Sequence, residues 1–153
     1  MNLINIKDDL FIKKCSTYVD GKLEIELRTK IFVEEQGFAI SAEFDDEEKD
    51  SIGYLIYQND QLIGVFSYIF RKPNEVFYRR LCLLKPYRRL GYGKLIFSYF
   101  ENLFLSQVRP LRIYFHGEKY LKEYWNKLGY TILNEVSEGE SSPPLLLVEK
   151  IIK

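Results

Sequence analysis

The 153-residue chain is short of the residues that build most metal and redox centres, with one histidine, two cysteines, one tryptophan and one methionine. One histidine and two cysteines cannot supply four zinc ligands of those types, so no metal site is expected. Cys15 and Cys82 lie far apart, forming no CxxC pair and no disulfide framework. Isolated thiols suit a reducing cytosol, and a cytoplasmic location is the expectation. Net charge is also missing, with 22 Lys and Arg against 22 Asp and Glu. That balance argues against a nucleic-acid partner, because a phosphate backbone is held by a surplus of basic side chains. No long apolar run exists. The longest, residues 62–70, is interrupted by Gly64 and Ser67 and has strand length, far short of a membrane span. Residues 1–9 carry no basic leader ahead of an apolar core, so neither a signal peptide nor membrane association is expected.

What the chain has is apolar and aromatic material: 46% hydrophobic residues, with 12 tyrosines and 11 phenylalanines. This is ample for a packed core and, at this length, for a single domain spanning 1–153. So many tyrosines would also suit a homodimer face. The first 35 residues read two ways. Asp20-Gly21 followed by the alternation Lys22 to Leu27 fits a hairpin and strand, while Leu23, Leu27 and Ile31 fit one face of a helix. The middle is plainer. Residues 52–58 and 61–70 are β-rich runs around the turn Asn59-Asp60, and 76–84 make a third strand. From Gly91 the apolar residues take a helical period through Leu95, Ile96, Tyr99, Phe100 and Leu103. Residues 111–115 return to a strand, 118–128 form a second helix stopped by Gly129, and 130–133 and 145–152 finish as strands. This order predicts an α/β fold with a mixed sheet and one parallel crossover.

The chemistry-bearing segment joins the third strand to the long helix: Arg88-Arg89-Leu90-Gly91-Tyr92-Gly93-Lys94. A strand, a glycine-containing turn and a helix start present unpaired backbone N–H groups and the positive end of a helix dipole at one point, which is a phosphate-binding arrangement. Arg88, Arg89 and Lys94 add charge. It is neither a dinucleotide fingerprint, which needs glycine where Ile96 stands, nor a P-loop, which needs glycine at 88 and Ser or Thr at 95.

Arg88-x-x-Gly91-x-Gly93 resembles the Q/R-x-x-G-x-G/A signature of the GCN5-related N-acetyltransferase (GNAT) family. Tyr124-Trp125-Asn126-Lys127-Leu128-Gly129-Tyr130 resembles that family's F-Y-x-K-x-G-F segment. Arg28-x-x-Ile31-Phe32-Val33-Glu34-Glu35-Gln36 is similar to the R-x-x-V-F-V-x-E-Q opening of one bacterial branch, and Glu43 to Glu48 to its E-x-D-x-x-D stretch. The resemblance implies a helix in the ambiguous N-terminal region. It also implies a mostly antiparallel sheet with helices on both faces, and acetyl-CoA bound between two splayed parallel strands, 76–84 and 111–116. In that pattern Leu81, Cys82 and Leu83 flank the pantetheine arm, whose amides pair with the backbone of Leu81 and Leu83. The amides from Arg89 through Leu90, Gly91, Tyr92 and Gly93 to Lys94 take the pyrophosphate.

The implied reaction moves an acetyl group from acetyl-CoA to a primary amine of a small molecule. It needs an unprotonated amine, a donor to the thioester carbonyl and help for the leaving thiolate. In many relatives a tyrosine protonates the thiolate, but register puts Trp125 there, and an indole N–H does not transfer a proton near neutral pH. Tyr120 and Tyr124 are the substitute candidates. Glu34, Glu35 and Glu75 are base candidates, with His116 a further one, and the N–H of Leu83 is the candidate carbonyl donor. Cys82 reads as an apolar filler. The acidic run from Glu43 to Asp50 would rim the acceptor side and attract a cationic amine. The alternative that Trp125 raises is a non-catalytic acyl-CoA-binding module.

Overall fold

The computed structural model describes residues 3–37, 47–136 and 144–153. The chain opens with a hairpin, β1 (Leu3–Lys7) and β2 (Leu10–Lys14), turned at Asp8 and Asp9 with Asp8 at φ 51°. Helix α1 (Tyr18–Arg28) follows and runs on through a π-helical turn, Thr29–Glu35. The hairpin reading of Asp20-Gly21 is therefore wrong, and capping explains why. Thr17 Oγ1 accepts the Asp20 N–H at 3.1 Å, and the buried Asp20 carboxylate takes Lys13 Nζ at 3.0 Å and the Ser16 N–H at 3.2 Å. Those bonds satisfy first-turn donors that a hairpin would leave unused.

Three antiparallel strands come next: β3 (Ile52–Gln58), β4 (Gln61–Lys72) and β5 (Glu75–Leu83). Helix α2 (Tyr92–Leu105) crosses over to β6 (Leu111–Glu118), which lies parallel to β5. A short helix α3 (Lys122–Lys127) leads into β7 (Thr131–Val136) and β8 (Leu145–Ile152). The eight strands form one sheet in the order β1-β2-β3-β4-β5-β6-β8-β7, antiparallel except at β5–β6.

The sheet is covered on both faces. On one, Ile96, Phe97, Phe100 and Phe104 of α2 are buried against Phe66, Tyr68 and Tyr78, with Phe66 and Phe100 ring centroids 4.6 Å apart. Each such burial contributes about 1.5–3 kcal/mol. On the other face Leu27 and Ile31 pack on Leu55, Val65 and Cys82. Cys82 is thus a buried filler, as its sequence context suggests. Among the described residues no helix is long and apolar enough to cross a membrane.

One irregularity creates the site. Ser67 pairs with Arg80 but Tyr68 pairs with Tyr78, so Arg79 is an extra residue, a bulge in β5. The β5–β6 ladder ends at the pair Tyr78–Phe115, immediately before it. A bulge bends its strand, and β5 leaves β6 there. Past that point β5 stays with β4 as far as Leu83–Gly64, and β6 stays with β8 as far as Glu118–Leu145.

Candidate active site

The divergence of β5 and β6 opens a cleft of about 1040 Å³. One wall is β5 beyond the bulge and the other is the end of β6. The start of α2 closes one end, while Ile31 and Phe32 of the π-helical turn, with Gln36 just after it, line it from the α1 side. Leu81, Cys82, Leu83, Arg88, Arg89, Gly91, Tyr92, Gly93 and Lys94 all border this one space, as do Tyr120, Tyr124 and Trp125. Leu90 is exposed and lies outside the lining, so its backbone amide is what it can offer.

The β5 wall offers backbone groups. Leu84 donates its N–H to Ile63 O of β4 at 2.8 Å. Backbone groups alternate between the two edges of a strand, so those of Leu83 and Leu81 point away from β4 into the cleft. At the loop, Arg89 (φ 63°) and Gly91 (φ 84°) are both left-handed, which turns successive amides to one side. Among the described residues no group of the chain accepts from the N–H groups of Arg89 through Lys94, and the first intrahelical bond is Leu95 N–H to Gly91 O at 3.2 Å. With Arg89 and Lys94 exposed beside them, these amides are a cluster of open donors next to positive charge, the features an anion requires. The Tyr92 side chain faces away, its hydroxyl 3.1 Å from both Asp9 carboxylate oxygens and accepting from Gln58 Nε2 at 2.8 Å, which pins the helix start.

Arg88 has a different task from its neighbours. Its Nε donates to Leu83 O at 2.8 Å, and its two terminal nitrogens grip the Glu35 carboxylate at 2.7 and 2.9 Å. The guanidinium straps the loop to the strand on one side and to the π-helical turn on the other. It also decides the fate of Glu35 as a base candidate. Both carboxylate oxygens are engaged, and the Arg88 hydrogen bonds hold its pKa below the ordinary value, which makes it a poor proton acceptor. Glu34 is exposed and outside the cleft lining. Glu75 stands at the opposite end of β5 from the cleft, paired with Arg112 at 3.0 Å. His116 and Glu118 do line the cleft.

Tyr120 is 78% exposed, and its hydroxyl is hydrogen-bonded to the Glu118 carboxylate, which together with burial and that charge pushes its pKa up to about 12. Tyr124 has its hydroxyl beside Gly93, and burial raises its pKa. Trp125 is 5% exposed. Its ring lies flat on Gly117 of β6, so close that a Cβ at 117 would overlap it, and meets Phe115 edge-on at 5.4 Å.

The acidic run splits. Residues 43–46 lie outside the described residues. Glu47 is gripped by Arg71 at 2.6 and 2.9 Å, and Glu48 accepts from Arg28 at 2.5 and 2.9 Å and from Arg79 at 2.9 Å. Glu47 and Glu48 are therefore committed to arginines, which removes them from the expected acidic rim. Glu48 instead ties the bulge residue Arg79 to α1. Sequence reasoning missed Arg79, Gly117 and the Arg88–Glu35 pair. Gly117 falls between the strand expected at 111–115 and the helix expected at 118–128, whereas β6 runs on through it to Glu118, so no strand pattern in the sequence marks the close approach there.

These pairs set the response to acid. Lys13 lowers the pKa of Asp20, Arg88 that of Glu35 and Arg71 that of Glu47, each mainly through its hydrogen bond. Burial pushes Glu48 up, but Arg28 and Arg79 outweigh it and the net direction is down. A folded pKa below the unfolded one contributes stability above the unfolded value of roughly 4, which is lost as pH falls through the folded value. The four carboxylates should leave melting temperatures level above about pH 5 and cause a decline below about pH 4. Glu48→Gln should lower the plateau and flatten the acid limb. An acid limb identical to wild type would show that the Glu48 pairs add nothing.

Known proteins share this architecture. The acetyltransferase (GNAT) family model matches residues 22–130, and the chain belongs to that family. It is 29% identical over 145 residues to the uncharacterized protein YyaT of Bacillus subtilis, covering 92% of this chain and 95% of that one. An acyl-CoA N-acyltransferase from Pseudomonas aeruginosa superposes with a TM-score of 0.74 at 19% identity, covering 93% of this chain and 98% of the other. An aminoglycoside 6'-N-acetyltransferase solved in complex with coenzyme A superposes at 0.69 with 17% identity, covering 93% and 97%.

Proposed function

We propose that the chain, as one domain, is an N-acetyltransferase that moves the acetyl group of acetyl-CoA directly to a primary amine of a small molecule. The observation that carries this reading is the run of acceptor-free amides from Arg89 to Lys94, continuous in one cleft with the open strand edge at Leu81 and Leu83. The residues fit the co-substrate. The amides of 89–94, with Arg89 and Lys94, suit its pyrophosphate, and Leu81 and Leu83 suit the amides of its pantetheine arm. Acetyl-CoA supplies an activated thioester carbonyl. Leu81 lies deeper toward the bulge than Leu83, so its N–H is the better placed donor to that carbonyl oxygen. His116 and Glu118 are the cleft-lining groups able to take the amine's proton. The N-terminal Arg28-x-x-Ile31-Phe32 stretch supports placement in the bacterial branch that opens this way.

Saturating acetyl-CoA should raise the melting temperature, since a ligand at a hundred times its Kd stabilises by about 2.7 kcal/mol. Gly91→Glu should abolish the shift, because it puts a carboxylate at the anion site and a side chain at φ 84°. If the wild type shows no shift, the site assignment is wrong. Thiol release across a panel of amines tests turnover. Trp125 at the usual tyrosine position favours a second reading, an acyl-CoA-binding module without catalysis, which predicts the thermal shift but no thiol release with any amine.

A further inference from the structure

A helix start ordinarily spends some of its first amides on a capping side chain. The start of α2 does not: Gly91 occupies the N-cap and no side chain caps the helix. A cap there would take the same donors that the proposed function gives to the pyrophosphate. Helix ends left to themselves fray, and mobile amides bind an anion poorly, since each must be ordered when the ligand arrives. An open helix start that is to receive an anion therefore has to be held by something other than a cap.

The hold comes through the side chain of Tyr92, the first helical residue, which is buried. Its hydroxyl donates to the Asp9 carboxylate, 3.1 Å from each oxygen, and accepts from Gln58 Nε2 at 2.8 Å. The hydroxyl's one proton is thus committed, and a second partner reaches its oxygen. Its two holders are themselves tied together. Leu10, next to Asp9, pairs with Gln58 across β2 and β3, and Asp9 O accepts the Asn59 N–H at 2.8 Å. The turns Asp8-Asp9 and Asn59-Asp60 so form one joined seat for the start of α2, and the clasp leaves every amide from Arg89 to Lys94 open. Resting on the acetyl-CoA reading above, we propose that Asp9 and Gln58 are positioning residues for the coenzyme, holding those amides, through the Tyr92 hydroxyl, in the arrangement that takes the pyrophosphate. The N-terminal hairpin is then part of the coenzyme site, although neither Asp9 nor Gln58 borders the cleft.

The sign of a charge separates this role from a plain electrostatic one. A carboxylate near a bound anion repels it, so if Asp9 acted only as a charge its removal would tighten binding. Acting through Tyr92, its removal weakens binding. The probe is coenzyme A, titrated calorimetrically well below the melting temperature. Tyr92→Phe keeps the ring in the core and should raise the Kd about tenfold, as should Asp9→Ala. Asp9→Asn, which retains an acceptor, should recover part of the loss, and Gln58→Met should cost less, since it removes a neutral bond. The double variant Tyr92→Phe with Asp9→Ala should bind no worse than Tyr92→Phe alone, because the carboxylate then has nothing to act through. A clasp serving stability alone would lower the melting temperature and leave the Kd of the folded protein unchanged. An unchanged or lower Kd in Tyr92→Phe or Asp9→Ala, or additive losses in the double variant, overturns the proposal while leaving the acetyl-CoA reading intact. Failure of the wild type to bind coenzyme A at all overturns both.

Discussion

Replacing Arg28 with alanine should cost the fold about 3–5 kcal/mol. For a chain of this size that is a fall in melting temperature of roughly 6–20 °C. Arg28 is 1% exposed and donates to Glu48 through both terminal nitrogens and to Glu24 at 3.2 Å. Removing the guanidinium leaves part-buried carboxylates short of a cation, and an uncompensated buried charge costs more than the pair contributed. The effect should reach the site, because Glu48 also holds Arg79, and Arg79 is the bulge that opens the cleft. Acetyl-CoA should accordingly stabilise Arg28→Ala less than it stabilises the wild type. The direct check is a double-mutant cycle with Glu48→Ala by chemical denaturation. If the pair acts as a unit, the double variant loses less than the sum of the singles by more than about 1 kcal/mol. A fall of under about 2 °C for Arg28→Ala would mean the network is ornamental.

That cluster shows where sequence reading runs out. Arg28 and Glu48 are 20 positions apart, Arg79 and Glu48 31, and Arg88 and Glu35 53. No local pattern reveals which acidic residue meets which arginine, so Glu48 reads as part of a solvated acidic run and Arg88 as one more phosphate-binding cation. Features set by neighbouring residues are legible. The strands Ile52–Gln58 and Leu145–Ile152 have the bounds expected from their β-rich runs, and the helix after Gly91 follows from its apolar period. The turn from strand to helix at Gly91 is legible for the same reason, since glycine spacing and a following helix are local facts. The second helix is shorter than its pattern suggests: residues 119–121 form a tighter turn before α3 begins. The β1–β2 hairpin escapes notice because its strands are five residues each, and β1 is a mostly exposed edge with little alternation to read. Asp20-Gly21 misleads because a turn dipeptide and a capped helix start use the same small polar residues, and Lys13, which decides between them, sits in another element.

The other large effect should come from a single methyl group. Gly117→Ala places a Cβ inside the volume of the Trp125 ring, near the end of a strand whose backbone is held there by pairing with β8. The backbone is held, and Phe115 blocks the indole on one side with β6 beneath it, which leaves the cleft as the one direction for the ring to yield. Overpacking of this kind costs about 1–3 kcal/mol when side chains can shift. The shift available is for the indole to swing out into the cleft. Gly117→Ala should therefore lose stability and acetyl-CoA binding together, with tryptophan emission moving to longer wavelength as the ring meets water. Gly117→Val should be worse on every count. Relief of the overlap is the discriminating result. In a Trp125→Ala background, Gly117→Ala should cost under about 0.5 kcal/mol, because the space it needs is empty and alanine suits a strand at least as well as glycine. A Gly117→Ala protein that melts like wild type, keeps its emission maximum and still responds to acetyl-CoA would show that the ring is not seated on β6. The shape of the cleft would then have to be redrawn.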